Sequence, residues 1–260
     1  MKLDRGTKEA IEALPPGVIA LRFKDVHEEL LAFRRVVEPR LEGDATMIFS
    51  KLKSDLEQIA RATGRETWKT RREIRTLSSD GGHQRGRCGH GRTLYGTIDF
   101  RWDIEPLSRV LKRQALNRCF ALRNSSVRIK LIDSADEEVA RWDFDAGDDR
   151  SPGCHFHAKF AEADEGRRER FRDIDVPRLP TVIFMPTDAT EFVLGELWQD
   201  EWREFSMSSS KEVNEWRRYP QGRLCKILEW HLEILRNERA GTPWAQLKSA
   251  KPEPSLFLDA

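Results

Sequence analysis

Hydrophobic residues follow two different periods along this chain of 260 residues, and each period predicts a different kind of element. Apolar side chains recur at three-and-four spacing within residues 24–41, which is typical of an amphipathic helix. A second helix is predicted after Asp44, a residue suited to an N-cap. Residues 1–18 show neither period, and we expect them to form a loose lead-in.

Farther along the chain the period changes to two, which indicates half-buried strands. The alternating stretches are residues 98–103, 127–131, 142–145 and 154–160. Residues 181–185 predict one more strand. Between the first two stretches, Pro106 with Leu107, Val110 and Leu111 predicts a short helix.

Two amphipathic helices are predicted near the end of the chain. Asp188 is expected to open the first, because Glu191 three residues later completes a capping-box pattern. The second is expected over residues 223–238. Strands with one shared apolar face and helices to cover it predict an α+β fold. Its antiparallel sheet is covered on one face by the C-terminal helices, and a helical region precedes it.

A basic, glycine-rich segment marks the best internal boundary. Residues 64–92 begin with closely spaced arginines, and five glycines between residues 78 and 92 disfavour regular structure. We therefore interpret residues 64–92 as a mobile loop. The predicted division is an N-terminal helical region, residues 1–92, and an α+β domain, residues 93–260.

The composition indicates a globular protein of the cytoplasm. The chain is 38% hydrophobic and 34% charged, with eight tryptophans and thirteen phenylalanines, whereas disordered chains are poor in aromatic residues. No apolar run approaches the ~20 residues of a membrane-spanning helix, so no membrane partner is expected. Four scattered cysteines do not form a disulfide framework. The chain contains no P-loop, dinucleotide-binding or H-E-x-x-H motif.

Charge is strongly segregated along the chain. Residues 61–130 hold 17 lysines and arginines against 6 acidic residues, a net charge of +11, while residues 131–205 hold 9 against 20, a net charge of −11. The two blocks either face each other in the fold or form a basic surface for phosphates beside an acidic surface for a metal or a partner.

The best candidate site is a predicted hairpin formed by residues 142–145 and 154–160. If Phe144 pairs with Phe156, antiparallel pairing sets Asp145 opposite His155 and Asp143 opposite His157. The four polar side chains would then leave the sheet on the face opposite the core.

These four residues fit two kinds of chemistry and one structural alternative. A carboxylate that orients an imidazole produces a general acid or base near neutral pH. Imidazoles and carboxylates also bind divalent metal ions, the one cofactor that this set suggests. Alternatively, the Asp–His pairs are solvent-facing contacts that stabilise the sheet modestly.

Basic residues around the hairpin predict binding of a phosphodiester backbone. Arg101 and Lys159 are expected on the same face of the sheet. The predicted nucleic-acid-binding residues are Arg71, Arg72, Arg75, Arg85, Arg87, Arg92, Arg128 and Lys130.

A second cluster comprises His83, Cys88 and His90, which can ligate zinc together with Cys154. It lacks the paired C-x-x-C spacing of zinc sites, so a solvated loop is the favoured interpretation. A further alternative, suggested by the neighbouring arginines, is a loop that contacts a nucleic-acid backbone and orders on binding. Three further residues, Cys119, Cys225 and His231, are predicted to lie in the core because their neighbours are apolar.

Residues 142–159 resemble the core of TumE-type toxins, small proteins of bacterial toxin–antitoxin modules. The likeness lies in Trp-Asp-Phe-Asp at 142–145, Ser-Pro-Gly at 151–153 and His-Phe-His-Ala-Lys at 155–159. In that family an aromatic-Asp strand precedes a histidine-rich strand that ends in a basic residue. The resemblance implies an activity directed at RNA or nucleotides in a bacterial conflict system. This chain departs from the pattern through its N-terminal and C-terminal helices.

Two functional hypotheses follow. The first is a nucleic-acid-directed enzyme, a general acid/base or metal-dependent nuclease or toxin-like effector of a defence or toxin–antitoxin system, with an antitoxin as its protein partner. The second is a non-catalytic adaptor of a larger nucleoprotein or antiviral defence complex, favoured by the charge segregation and the aromatic C-terminal helices.

Overall fold

The computed structural model describes residues 3–79, 93–107, 112–146, 155–160, 179–180, 185–237 and 241–258 of the chain. For residues 112–114, 146, 155–160, 179–180 and 248 it describes the backbone alone. Within these ranges, no helix combines the length and the apolar character that crossing a membrane requires.

Among the described residues, three α-helices and one strand come first, the other strands follow, and three α-helices come last. The helices are α1 Arg5–Glu12, α2 Phe23–Val37, α3 Ala45–Ile59, α4 Pro186–Ser206, α5 Lys211–Asn237 and α6 Pro243–Ser249. The strands are β1 Ile19–Arg22, β2 Glu66–Lys69, β3 Ile74–Arg75, β4 Leu94–Pro106, β5 Cys119–Asp133, β6 Glu138–Ala146, β7 His155–Phe160 and β8 Leu179–Pro180.

The eight strands that the structure describes belong to one antiparallel sheet with the order β2-β4-β5-β6-β7-β8. Strand β3 also pairs with β4, and β1 pairs with β5. Strand β4 shows why these sequences form a sheet with two unlike faces: Ile98, Phe100 and Trp102 are buried, while Arg101 between them is exposed. The predicted α+β class is confirmed.

Helices pack on the apolar face of this sheet. Helix α3 contacts β2 and β3, and α4 contacts β4 and β5. The rings of Trp68 and Trp102 lie edge to face at 5.4 Å, and the Trp68 indole donates a hydrogen bond to the Leu52 carbonyl of α3. The core joins side chains from both sides of residue 92, such as Phe33 and Val193. The division into two regions at that residue stays a prediction.

Among the described residues, an apolar cluster covers one end of the opposite face of the sheet. Ile11 of α1 and Leu258 near the C-terminus form a small cluster with Ala20 and Cys119 of the paired strands β1 and β5. The prediction that Cys119 lies in the core is therefore confirmed. Elsewhere this face carries the charged side chains of β4, β5 and β6, and we call it the polar face.

Three predictions for the first half of the chain are wrong. The expected loose lead-in contains α1, whose N-cap Asp4 accepts a hydrogen bond from the Thr7 amide. Within the expected basic loop, β2 and β3 pair with β4, because Trp68 and Ile74 each have a place in the core. The rest of that predicted loop, residues 80–92, lies outside the described residues. Pro106 ends β4 instead of opening a helix. Leu107 follows as irregular chain, and Val110 and Leu111 lie outside the described residues.

The C-terminal helices also differ from their predicted bounds. Helix α4 begins at Pro186, and Asp188 sits inside its first turn, where its carboxylate accepts a hydrogen bond from the Met185 amide. Helix α5 begins at Lys211, well before the predicted start. Met185 precedes α4, so the strand predicted there does not include it, and the rest of that strand, residues 181–184, lies outside the described residues.

Gly96 allows α4 to lie directly on the sheet. A Cβ atom at this position would overlap Cγ1 of Val193. Because a packed core resists extra volume, we expect Gly96→Ala to lower the free energy of unfolding by about 1–3 kcal/mol. Urea denaturation measures the change. Gly64→Ala is the matched control, because a Cβ there meets nothing within 4 Å. Equal effects of the two substitutions would contradict this account of the packing.

Candidate functional site

The pairing of β6 with β7 has the predicted register. Phe144 lies opposite Phe156, Asp143 opposite His157 and Asp145 opposite His155. Phe144 is buried and packs near Phe192 of α4, with 6.4 Å between the ring centroids. The side chains of β7 lie outside the described residues. The pairing of positions is thus established, and the placement of both imidazoles stays a prediction.

Asp143 is held by two arginines. Its Oδ1 accepts a hydrogen bond from Nε of Arg128 at 2.9 Å, and its Oδ2 lies 3.1 Å from Nε of Arg141. The hydrogen bond to Asp143 raises the pKa of the Arg128 guanidinium. Arg141 was missed in the sequence, although it alternates outward in the same strand as Asp143.

Asp145 has a different environment. It is half-buried and lies opposite Ser126 on β5 and His155 on β7. Among the described side chains it makes no ion pair. No described cation therefore occupies the Asp145 carboxylate, which leaves it able to bind the imidazole of His155.

Two rows of polar positions run across the strands of the polar face. One row contains, from β4 to β7, Asp99, Arg128, Asp143 and His157. The other row contains, from β2 to β7, Lys69, Arg101, Ser126, Asp145 and His155. Since neighbouring strands are about 4.8 Å apart, the second row spans about 19 Å. Each row thus places basic, acidic and histidine positions side by side on successive strands of the polar face.

Several of the predicted nucleic-acid-binding cations already have acidic partners. Lys130 lies 3.1 Å from Glu73, and Arg75 lies 2.9 Å from Glu42 and stacks on the ring of Tyr95. Two pairs of described residues join the basic block to the acidic block: Arg128 with Asp143, and Arg75 with Asp136 at 3.9 Å. The two charge blocks therefore partly neutralise each other. Arg71 and Arg72 lie in the exposed turn between β2 and β3, at the edge of the sheet. Arg85, Arg87 and Arg92 lie outside the described residues.

The structure provides no test of the proposed zinc cluster. His83, Cys88, His90 and Cys154 all lie outside the described residues. Among the side chains that are described, no three of the types His, Cys, Asp and Glu form a group able to hold a metal ion. Two other predictions are wrong: Cys225 is exposed, and His231 is only half-buried. The reason is that α5 packs against α2 and α6, so much of its surface remains outside the core.

Sequence reasoning also missed a buried ionic network between three helices. Arg223 of α5 binds Glu29 of α2 through two hydrogen bonds of 2.8 and 3.0 Å, and it also binds Asp188 of α4. Glu29 accepts a further hydrogen bond from the Thr187 hydroxyl. Although burial opposes ionisation, the Asp188 and Glu29 carboxylates raise the pKa of Arg223. Because these groups bind one another, we interpret the network as a clamp between helices.

One acid beside this clamp has an altered ionisation. Burial raises the pKa of Glu191 to about 7, and the nearby Asp188 carboxylate adds to the effect. Burial also raises the pKa of Asp188, although Arg223 opposes that shift. No signal in the sequence marks these shifts, because they depend on the packing of α2 and α5 around the first turns of α4.

Comparisons with known proteins identify no relative of this chain. No protein family matches the chain, and neither the curated proteins nor the solved structures include a match to it.

Proposed function

We propose that the protein is a nucleic-acid-directed enzyme that cleaves a phosphodiester strand on the polar face of its sheet, as a nuclease or toxin-like effector of a bacterial defence or toxin–antitoxin system. The observation that carries this proposal is the register of β6 and β7, which sets Asp143 opposite His157 and Asp145 opposite His155. The resemblance of residues 142–159 to TumE-type toxins supports the same class of substrate and the same biological setting.

The described partners suggest different roles for the two aspartates. Asp145 has no described ion pair, so we assign it to orient the imidazole of His155 as the general base or acid. Asp143 is fixed by two arginines and is assigned a positioning role toward His157.

Arg128 is the best placed phosphate ligand of the face. Its guanidinium binds Asp143 through Nε, and its two terminal nitrogens make no hydrogen bond to any described residue. Those nitrogens can therefore donate to a phosphate while Nε holds Asp143. Charge-assisted hydrogen bonds of this kind stabilise the charge that develops during strand cleavage.

The decisive experiment removes both imidazoles. We expect the double variant His155→Ala, His157→Ala to cleave labelled single-stranded RNA or DNA about 10²- to 10⁴-fold more slowly than the natural protein. His231→Ala, a histidine of α5 far along the chain, is the control and should retain activity. Loss of cleavage on addition of EDTA would assign a divalent metal to the site, and unchanged cleavage would favour acid/base catalysis. A folded double variant with full activity would overturn the proposal.

An adaptor function is the second candidate, and one observation favours it. Four leucines on one side of α5 are between 38% and 62% exposed, which is typical of a surface that binds a protein partner. They are Leu224, Leu228, Leu232 and Leu235. If the protein is an adaptor, charged substitutions at Leu228 and Leu232 abolish its binding to the protein partner. The two histidine substitutions leave that binding unchanged.

A further inference from the structure

A pocket of about 240 Å³ lies at the edge of the sheet, between α3 and the turn that follows β2. This turn interrupts the edge strand: β2 ends at Lys69, the next residue still bonds to β4, and pairing resumes at Ile74. The intervening Arg71 and Arg72 are exposed. The interruption therefore leaves basic side chains at the mouth of the pocket.

Apolar side chains of α3 form part of the pocket. Ile48 and Leu52 share one side of the helix, because residues four apart are neighbours on its surface, and Met47 lines the pocket beside them. Leu52 is buried, whereas Met47 is 67% exposed. Methionine adapts its shape to flat or irregular ligands. The pocket thus has an uncovered apolar surface large enough for a small planar group.

The rim of the pocket carries excess positive charge. It contains four cations, Lys51, Lys69, Arg71 and Arg72, and two acids, Asp44 and Asp55, an excess of two.

The acids leave part of this charge uncompensated. Asp55 lies 2.8 Å from Nζ of Lys51 and 3.7 Å from Nε of Arg71. Lys69 and Arg72 make no ion pair with any residue that the structure describes. These two cations can therefore bind an anion without first breaking a contact.

Apolar surface beside two cations that have no ion pair among the described residues matches the chemistry of a nucleoside phosphate. The apolar side chains suit a base removed from its stack, and the guanidinium and ammonium groups suit its phosphate. The volume lies below the roughly 300–1,000 Å³ of pockets for drug-sized ligands. A single nucleotide therefore fits the pocket better than a duplex.

The pocket also connects with the candidate catalytic positions. Lys69 lies opposite Arg101, and their row continues through Ser126 and Asp145 to His155 at the far side of the sheet. A strand held at the pocket can cross the polar face along this row. The row therefore provides a path of about 19 Å between the pocket and the proposed site of cleavage.

We propose that this pocket binds one unstacked nucleotide, with its base against Met47 and Ile48 and its phosphate bound by Lys69 and Arg72. The inference builds on the proposed function, because it makes the pocket the anchor for a single strand whose cleavage occurs near His155. The same chemistry recognises a free nucleotide, and the experiment separates the two sources.

Binding, measured apart from cleavage, tests the pocket. The full-length protein is titrated with a labelled single-stranded hexanucleotide, followed by fluorescence anisotropy, and with AMP and UMP, followed by calorimetry. We expect the double variant Lys69→Glu, Arg72→Glu to weaken hexanucleotide binding about tenfold or more. Met47→Asp should weaken it similarly. Arg61→Glu is the control, since Arg61 is an exposed cation of the same basic block that does not line the pocket.

The outcomes distinguish failure of the pocket from failure of the proposed function. Hexanucleotide binding that is equally strong in the double variant and in the Arg61→Glu control would overturn the pocket, whatever the cleavage assay shows. A second outcome is that the double variant binds the hexanucleotide more weakly but the natural protein cleaves no nucleic acid. That outcome would support the pocket and reject the nuclease. Tight binding of AMP or UMP alone would identify a free nucleotide as the ligand. If inorganic phosphate displaces the hexanucleotide as strongly as AMP does, the proposed role of the apolar surface is overturned.

Discussion

Arg223→Ala is expected to destabilise the protein by about 3–5 kcal/mol, because it leaves buried carboxylates without their counter-ion. Arg223 lies between Glu29 of α2 and Asp188 of α4, and its side chain is largely buried. Removing one partner of a buried ion pair costs more than the pair contributes, since the remaining charge has lost both its partner and its water. Urea denaturation at pH 7 measures the loss.

An exposed arginine on the same helix provides the control for this substitution. Arg236 is exposed and lies in the last turn of α5, so Arg236→Ala should change the free energy of unfolding by no more than about 0.5 kcal/mol. A triple replacement of Arg223, Glu29 and Asp188 by apolar residues of similar volume should recover much of the lost stability. Similar stabilities of Arg223→Ala and Arg236→Ala would show that the network does not hold the helices together.

Glu191→Gln should stabilise the protein at high pH and leave it nearly unchanged at low pH. The pKa of Glu191 is raised from 4.5 to about 7 in the folded protein, chiefly by burial. Between these values the folded state binds more protons than the unfolded state, so stability falls as pH rises through this window. At pH 8 the ionised carboxylate lowers stability by up to about 3 kcal/mol, a penalty that the neutral glutamine lacks.

Paired denaturation curves at pH 4.5 and pH 8 test this prediction. The difference in unfolding free energy between Glu191→Gln and the natural protein should grow with pH. Glu196→Gln is the control, because Glu196 is exposed on the same helix. A difference that is the same at both pH values would show that burial does not disturb the ionisation of Glu191.

The register of the candidate hairpin could be predicted because two independent constraints agree. Alternation assigns Phe144 to the apolar face, and the side-chain period of two means that a slip by one residue would expose it. The loop-like sequence between the two strands restricts the remaining choices. The same logic placed Phe100, Trp102 and Ile129 in the core, and each is buried.

Local sequence was a poorer guide wherever distant residues determine the element. Pro106 can begin a helix, but it ends β4 because that strand continues its antiparallel pairing with β5. Asp188 has the pattern of an N-cap, yet its carboxylate lies in the first turn and also binds Arg223, 35 residues later. Trp68 lies within a basic segment, and only its packing against Trp102 and α3 shows that the segment is part of the sheet.

The ion-pair partners of charged residues could not be predicted from the sequence either. The sequence identified Arg128 and Lys130 as outward-facing cations, and they lie on the polar face. It did not identify Asp143 and Glu73 as their partners, because an ion pair joins elements whose separation along the chain carries no periodic signal. Likewise, the apolar side of α5 was expected to cover the sheet, whereas Leu228 and Leu232 are exposed.

The sequence by itself determined the α+β class, the two unlike faces of the sheet and the pairing of Asp143 with His157, because each depends on a short-range period in side-chain polarity. Tertiary structure alone decided which cations are neutralised, where the pocket beside Lys69 opens and why Glu191 resists ionisation. Those properties depend on distances between residues far apart in the chain, and on the water that packing excludes between them.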